Sequence, residues 1–278
     1  MLLQELKKAF SNKMFQAVVF VSVLIPFMNT YVRWKVAQND IAMGIKKQME
    51  EWVSLSVFSG WIGSESYTSG YSLFFFIFPL LVCAGYGWSF RRELDTGYTN
   101  QIVSRAGKKK YYFSKYFSIF ITGGIIFTMP VLINLLVGMT FENLALPDPV
   151  SLYFPWDYRS FLGSLPFSHP LLFCFLYLLV DFVFCGALAC ICMSLSFFIR
   201  NKISIIVIPF LTLLFWHEIS NRYLIDNDTI YTPSLLRMVH SAGGLYCVPG
   251  ETYLTAIVVI LAITLGITIY KMKYSDIL

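Results

Sequence analysis

Few residues of this chain are able to do chemistry, and their spacing argues against most of it. Glu50-Glu51 is a paired carboxylate of the kind that serves as a general base, but it falls in a polar stretch with no His at a supporting position inside an apolar run. His169, His217 and Glu218 sit at the edges of apolar runs, and no serine forms a nucleophile motif with them. Hydrogen bonding at a membrane surface is the reading for these groups, and no catalytic residue is expected. A phosphate loop is also missing: the Gly107-Lys108 pair is followed by Lys109 and has Ile102 where the first glycine belongs. Of six cysteines, Cys83, Cys174, Cys185, Cys190 and Cys192 lie within apolar runs and Cys247 outside them, so neither a disulfide framework nor a metal site is expected.

One ionisable group stands apart. Asp181 is the single acidic residue well inside an apolar run, about a third of the way from its outer end. An ionised carboxylate at such depth costs about 2.5–3.5 kcal/mol, so Asp181 should face a translocation pathway or a subunit interface. Its protonation stays open, and the lack of a basic relay partner in any run argues against proton coupling.

The elements that must position these residues are membrane spans. The chain of 278 residues is 57% hydrophobic and 13% charged, against about 25% charged in soluble domains. Six runs are near the ~20 residues that cross the hydrocarbon layer: 15–32, 71–90, 116–141, 170–199, 203–219 and 254–270. They are apolar on every face, which excludes barrel strands. The expected fold is all-α: one polytopic transmembrane domain, 1–278, with outer loops 33–70, 142–169 and 220–253. The first run lacks a small-residue cleavage site and reads as a retained span.

Orientation follows from Lys and Arg. Fourteen fall on the side that carries both termini and seven on the other, so both termini are expected in the cytoplasm. Seven of the fourteen lie in the segment 91–115 (RRELDTGYTNQIVSRAGKKKYYFSK). Residues 2–13 place Leu2, Leu3, Leu6, Ala9 and Phe10 on one helical face with Lys7, Lys8 and Lys13 available to headgroups, which predicts an interfacial helix. Residues 41–53 read as an amphipathic helix on the outer surface, and 233–246, opening on a proline and stopping at Gly243-Gly244, as a short helix dipping into the outer leaflet. Pro26, Pro79, Pro130 and Pro209 each invite a kink in a different span. Gly186, Cys190 and Ser194 form a stripe that permits close helix approach. Tyr31, Trp34, Trp61, Tyr67, Tyr71, Trp88, Tyr111, Tyr112, Trp216 and Tyr253 cluster at span ends as an interfacial aromatic belt.

Between the second and third spans, residues 91–101 predict a short helix with Arg92, Glu93 and Asp95 near its start, and with Gly97 and Tyr98 as a close-contact surface. Taken in order, ELKKAF before the first span, FSGWIGSES before the second, and RELDTGYTNQIVSR with KKKYYFSKY leading into a glycine-containing third span resemble the membrane subunits of ABC exporters of the type-2 permease superfamily, especially small Firmicute permeases of peptide and bacteriocin-type exporters.

The resemblance implies a dimer of six-span subunits, homodimeric or with a related paralogue, with separate ABC ATPase subunits docked below. Residues 2–13 would be the elbow helix, with Leu3, Leu6, Lys7 and Phe10 at the interface. Residues 92–101 would be the coupling helix, with Arg92, Glu93, Asp95, Gly97, Tyr98, Gln101 and Arg105 meeting the ATPase, and 233–246 would match a re-entrant outer element. No cofactor would be bound directly; ATP and Mg would belong to the partner, so the chain is not expected to be an enzyme by itself. The implied role is a permease subunit forming half of a passage for an amphipathic peptide or lipid-like cargo, in the plasma membrane of a Gram-positive bacterium, with no nucleic-acid partner. A self-protection or peptide-sensing permease without bulk export is the alternative, followed by an intramembrane hydrolase.

Overall fold

The computed structural model describes residues 1–42, 56–61, 69–142, 144, 146, 161–224, 232–239 and 248–274. These residues are helical throughout their regular elements, with no strand among them. Eight helices matter here: α1 (Leu2–Phe10), α2 (Lys13–Ala42), α3 (Ser69–Asp95), α4 (Tyr98–Ala106), α5 (Lys108–Gly138), α6 (Pro170–Leu195), α7 (Lys202–Tyr223) and α8 (Gly250–Tyr274). Six of them, α2, α3 and α5–α8, are long and apolar enough to cross a membrane.

The helix ends differ from the expected ones for local reasons. α5 starts at Lys108 rather than near residue 116, because Gly107, at φ +83°, ends the preceding helix and the following residues are good helix formers. α2 runs on to Ala42, ten residues beyond the expected span. α6 stops at Leu195, so Asp181 lies nearer its middle than the longer expected run implied. Pro26, Pro79, Pro130 and Pro209 all lie inside continuous helices, and α3 carries a π-helical stretch at Cys83–Gly87 shortly after Pro79.

α3, α5 and α6 form the centre, with α2 packed on α3 and α5; α7 and α8 lie at the side. Within their most apolar stretches 72% of α3 is buried against 17% of α8, which leaves one side of α8 open to its surroundings. The predicted small-residue stripe lies where α6 meets its neighbours: a Cβ on Gly186 would stand 2.8 Å from the Phe120 carbonyl oxygen of α5, and the Ser194 hydroxyl donates to the Thr264 carbonyl of α8 at 3.3 Å. A buried amide joins α2 to α5: Asn134 Nδ2 donates to Thr30 Oγ1 at 2.8 Å and Asn29 Oδ1 at 3.1 Å.

The aromatic belt holds only in part. Tyr31, Trp34 and Trp216 are exposed, whereas Trp61, Tyr71, Trp88, Tyr111, Tyr112 and Tyr253 are buried. The bundle supplies the partners that water would otherwise give: Trp61 Nε1 donates to the Val131 carbonyl at 2.9 Å and Trp88 Nε1 to that of Ala84 at 2.9 Å. Tyr67 and the predicted outer helix beyond Ala42 lie outside the described residues. Of 233–246, the described part is a turn followed by a 3-10 turn at Arg237–Val239; 240–246 lie outside.

Candidate functional site

α1, the end of α3, α4 and the start of α5 meet at one end of the bundle, here termed the basic end. The single helix expected over 91–101 is two pieces. α3 continues to Asp95, Gly97 turns the chain at φ +69°, and α4 begins at Tyr98. A side chain at φ +69° is strained, so glycine permits the corner. Gly107 makes the second corner. α4 is thus a nine-residue crosspiece between two long helices.

A buried ionic cluster holds this arrangement. Lys115 is completely buried on α5, and its ammonium makes three hydrogen bonds: to Glu93 Oε1 at 2.9 Å, to the Tyr86 hydroxyl at 3.1 Å and to Glu5 Oε2 at 3.2 Å. All three donors of the ammonium are therefore used. Its Nζ also lies 4.4 Å from the centre of the Tyr86 ring. Glu93 Oε1 is shared with Lys8, and Glu93 Oε2 accepts from the Tyr111 hydroxyl at 2.5 Å. Tyr111 lies 3.2 Å from the hydroxyl of buried Thr99 at the start of α4. Lys8 further sits 4.1 Å from the Tyr98 ring centre. Two lysines and two carboxylates balance to zero, which makes the burial tolerable, and the contacts bind α1, α3, α4 and α5 to one another.

The expected site residues separate accordingly. Glu93 points inward and is 6% exposed, so its carboxylate is not offered to a partner in this structure. Asp95 is exposed and accepts from Arg91 Nε at 2.9 Å, one helical turn away. Arg92, Tyr98, Gln101 and Arg105 are exposed, with Gly97 at the corner beside them. On α1, Leu3, Lys7 and Phe10 share the outward face, Leu6 is half-buried, and Glu5 and Ala9 form the face packed inward. Glu5 and Lys115 are not among the site residues the sequence singles out; its hint is a carboxylate in an otherwise apolar and basic first helix.

Asp181 lies well inside α6, roughly 16 Å along it from Pro170 at 1.5 Å per residue. It is 3% exposed and makes no hydrogen bond or ion pair among the described residues. At the opposite end, the Tyr177 hydroxyl donates to the Met238 carbonyl at 2.7 Å and lies 2.8 Å from the Tyr253 hydroxyl. His217 Nδ1 is 2.6 Å from Ser234 Oγ, a juxtaposition the sequence did not reveal, and its Nε2 is 2.9 Å from the Asn221 amide. Ser234 is fully buried, so its hydroxyl is closed to a substrate here, and the contact fastens the segment before the 3-10 turn to α7.

Comparison with protein-family models, with curated proteins and with solved structures finds no match.

Proposed function

We propose that this chain is the membrane subunit of an ATP-driven exporter of the type-2 ABC permease kind. It provides half of a passage for an amphipathic peptide or similar hydrophobic cargo, while a separate ATPase subunit holds ATP and Mg. The supporting observation is α4: a short helix set between two glycine corners, bonded on its inner side to α5 through Thr99 and Tyr111, with Lys8 of α1 over its Tyr98 ring, and presenting Gln101 and Arg105 outward. Force applied to such a helix passes into α5 through the Thr99–Tyr111 contact and across the single-residue corner at Gly107, without an intervening loop. The long, mostly unburied apolar faces of α2, α7 and α8 suit lipid and a second membrane subunit, identical or related. On this reading the basic end faces the cytoplasm.

The test is affinity capture of the tagged full chain from its native plasma membrane. ATPase activity should accompany it, and Asp95→Arg with Arg105→Glu should remove that activity while membrane yield is unchanged. Capture of the wild-type chain with no ATPase, or transport by the chain alone, would defeat the proposal.

A further inference from the structure

A cavity of about 680 Å³ opens beside the cluster, between the α1–α2 turn and the α3–α4 corner. Its walls bring together Lys13, at the first residue of α2, and Arg92, near the end of α3. Both are exposed, and neither has a carboxylate partner among the described residues. The carboxylate that reaches the cavity, Glu93, is already taken by Lys8, Lys115 and Tyr111, so it does not cancel them. Two uncompensated cations therefore face one concavity that is also lined by Tyr98, Gln101 and Trp88.

The surroundings decide which anion fits. Phe10 and Met14, immediately flanking the cavity-lining residues 11–13, are 43% and 38% exposed, and Leu3 on the outward face of α1 is 81% exposed. An apolar strip adjoining a cationic pocket matches a molecule with acyl chains and a phosphate.

We infer that this cavity is a binding site for the headgroup of an anionic phospholipid, its phosphate held between Lys13 and Arg92 and its chains lying along Phe10 and Met14. The inference requires only that the long helices lie in a bilayer and is independent of any ATPase partner. It also separates the basic residues of the first helix: Lys8 turns inward to Glu93, Lys7 lies on the outer face, and Lys13 belongs to the site.

Native mass spectrometry of the full chain in neutral detergent, titrated with phosphatidylglycerol or with phosphatidylcholine of the same chains, tests the site. One phosphatidylglycerol should be retained in preference. Lys13→Gln with Arg92→Gln should weaken its binding about thirtyfold, the factor given by about 1 kcal/mol for each basic residue. Lys109→Gln with Lys110→Gln removes equal charge from the exposed start of α5, away from the cavity, and should change binding less than about threefold. Equal losses in the two double variants, or no preference for phosphatidylglycerol, would overturn the site. Displacement of the lipid by millimolar inorganic phosphate would make it a free-anion site and overturn the lipid assignment, whereas retention supports it. All four side chains are exposed, and monodisperse elution of the variants confirms that they fold.

Discussion

Lys115→Met is the sharpest perturbation of the ionic cluster. Lys115 is wholly buried, and its loss leaves Glu5 and Glu93, themselves 4% and 6% exposed, with Lys8 as the remaining cation. Removing one partner of a buried pair costs about 3–5 kcal/mol, and here the part-exposed Lys8 is left alone against two buried carboxylates, which places this variant at the upper end. Glu5→Gln keeps the bond between Lys115 and Glu93 and should cost only about 1–2 kcal/mol. Replacing Glu5, Glu93 and Lys115 together by methionine removes every charge that needs Lys115 and should return stability to within about 2 kcal/mol of the parent. Reversible unfolding in SDS–detergent mixtures, followed by circular dichroism, measures all three. A loss of under about 1 kcal/mol for Lys115→Met, equal to that of exposed Lys109→Met, would refute the reasoning, as would a triple variant worse than the single one.

Gly186→Ala should destabilise by about 1–3 kcal/mol in the same assay, because the new Cβ meets a backbone carbonyl that has no room to retreat; Gly266→Ala, with open space around it, should be neutral or stabilising by up to about 1 kcal/mol. Asp181→Leu should raise stability by about 2–3 kcal/mol, since an unpartnered buried carboxyl is removed, and should lower transport in vesicles; Asp181→Asn should impair transport more than membrane insertion, and unchanged transport in both would remove Asp181 from the pathway. Tyr177→Phe should cost about 1–2 kcal/mol and expose the Arg237–Val239 turn to faster hydrogen exchange, as its hydroxyl is the bond from α6 to that turn.

Hydropathy located all six long helices because a span must be apolar over its whole length, a property carried by each residue independently. The stripe of Gly186, Cys190 and Ser194 was legible for a similar reason, since small side chains four residues apart share a face. What escaped was the pairing of charges distant in sequence. Lys115 looked like one of seven cations on a solvated segment, and only the fold shows that α5 begins early enough to draw it inside beneath Glu5 and Glu93. The sequence offers Gly97 as a contact surface but does not reveal that its positive φ makes it the corner dividing α3 from α4. Trp61 and Trp88 mislead in the opposite sense: composition places them at an interface, but their indole N–H groups find carbonyls within the bundle.

The bond between Glu5 and Lys115 also sets an order for biogenesis. The two residues are 110 positions apart, so at about 5–20 residues per second the carboxylate emerges from the ribosome several seconds or more before its cation is made. Until α5 has been synthesised, the first helix lacks its bond to Lys115, and a nascent chain ending after α4 carries Glu5 and Glu93 with Lys8 alone between them. Truncated products of that length should therefore remain with the insertion machinery or be degraded.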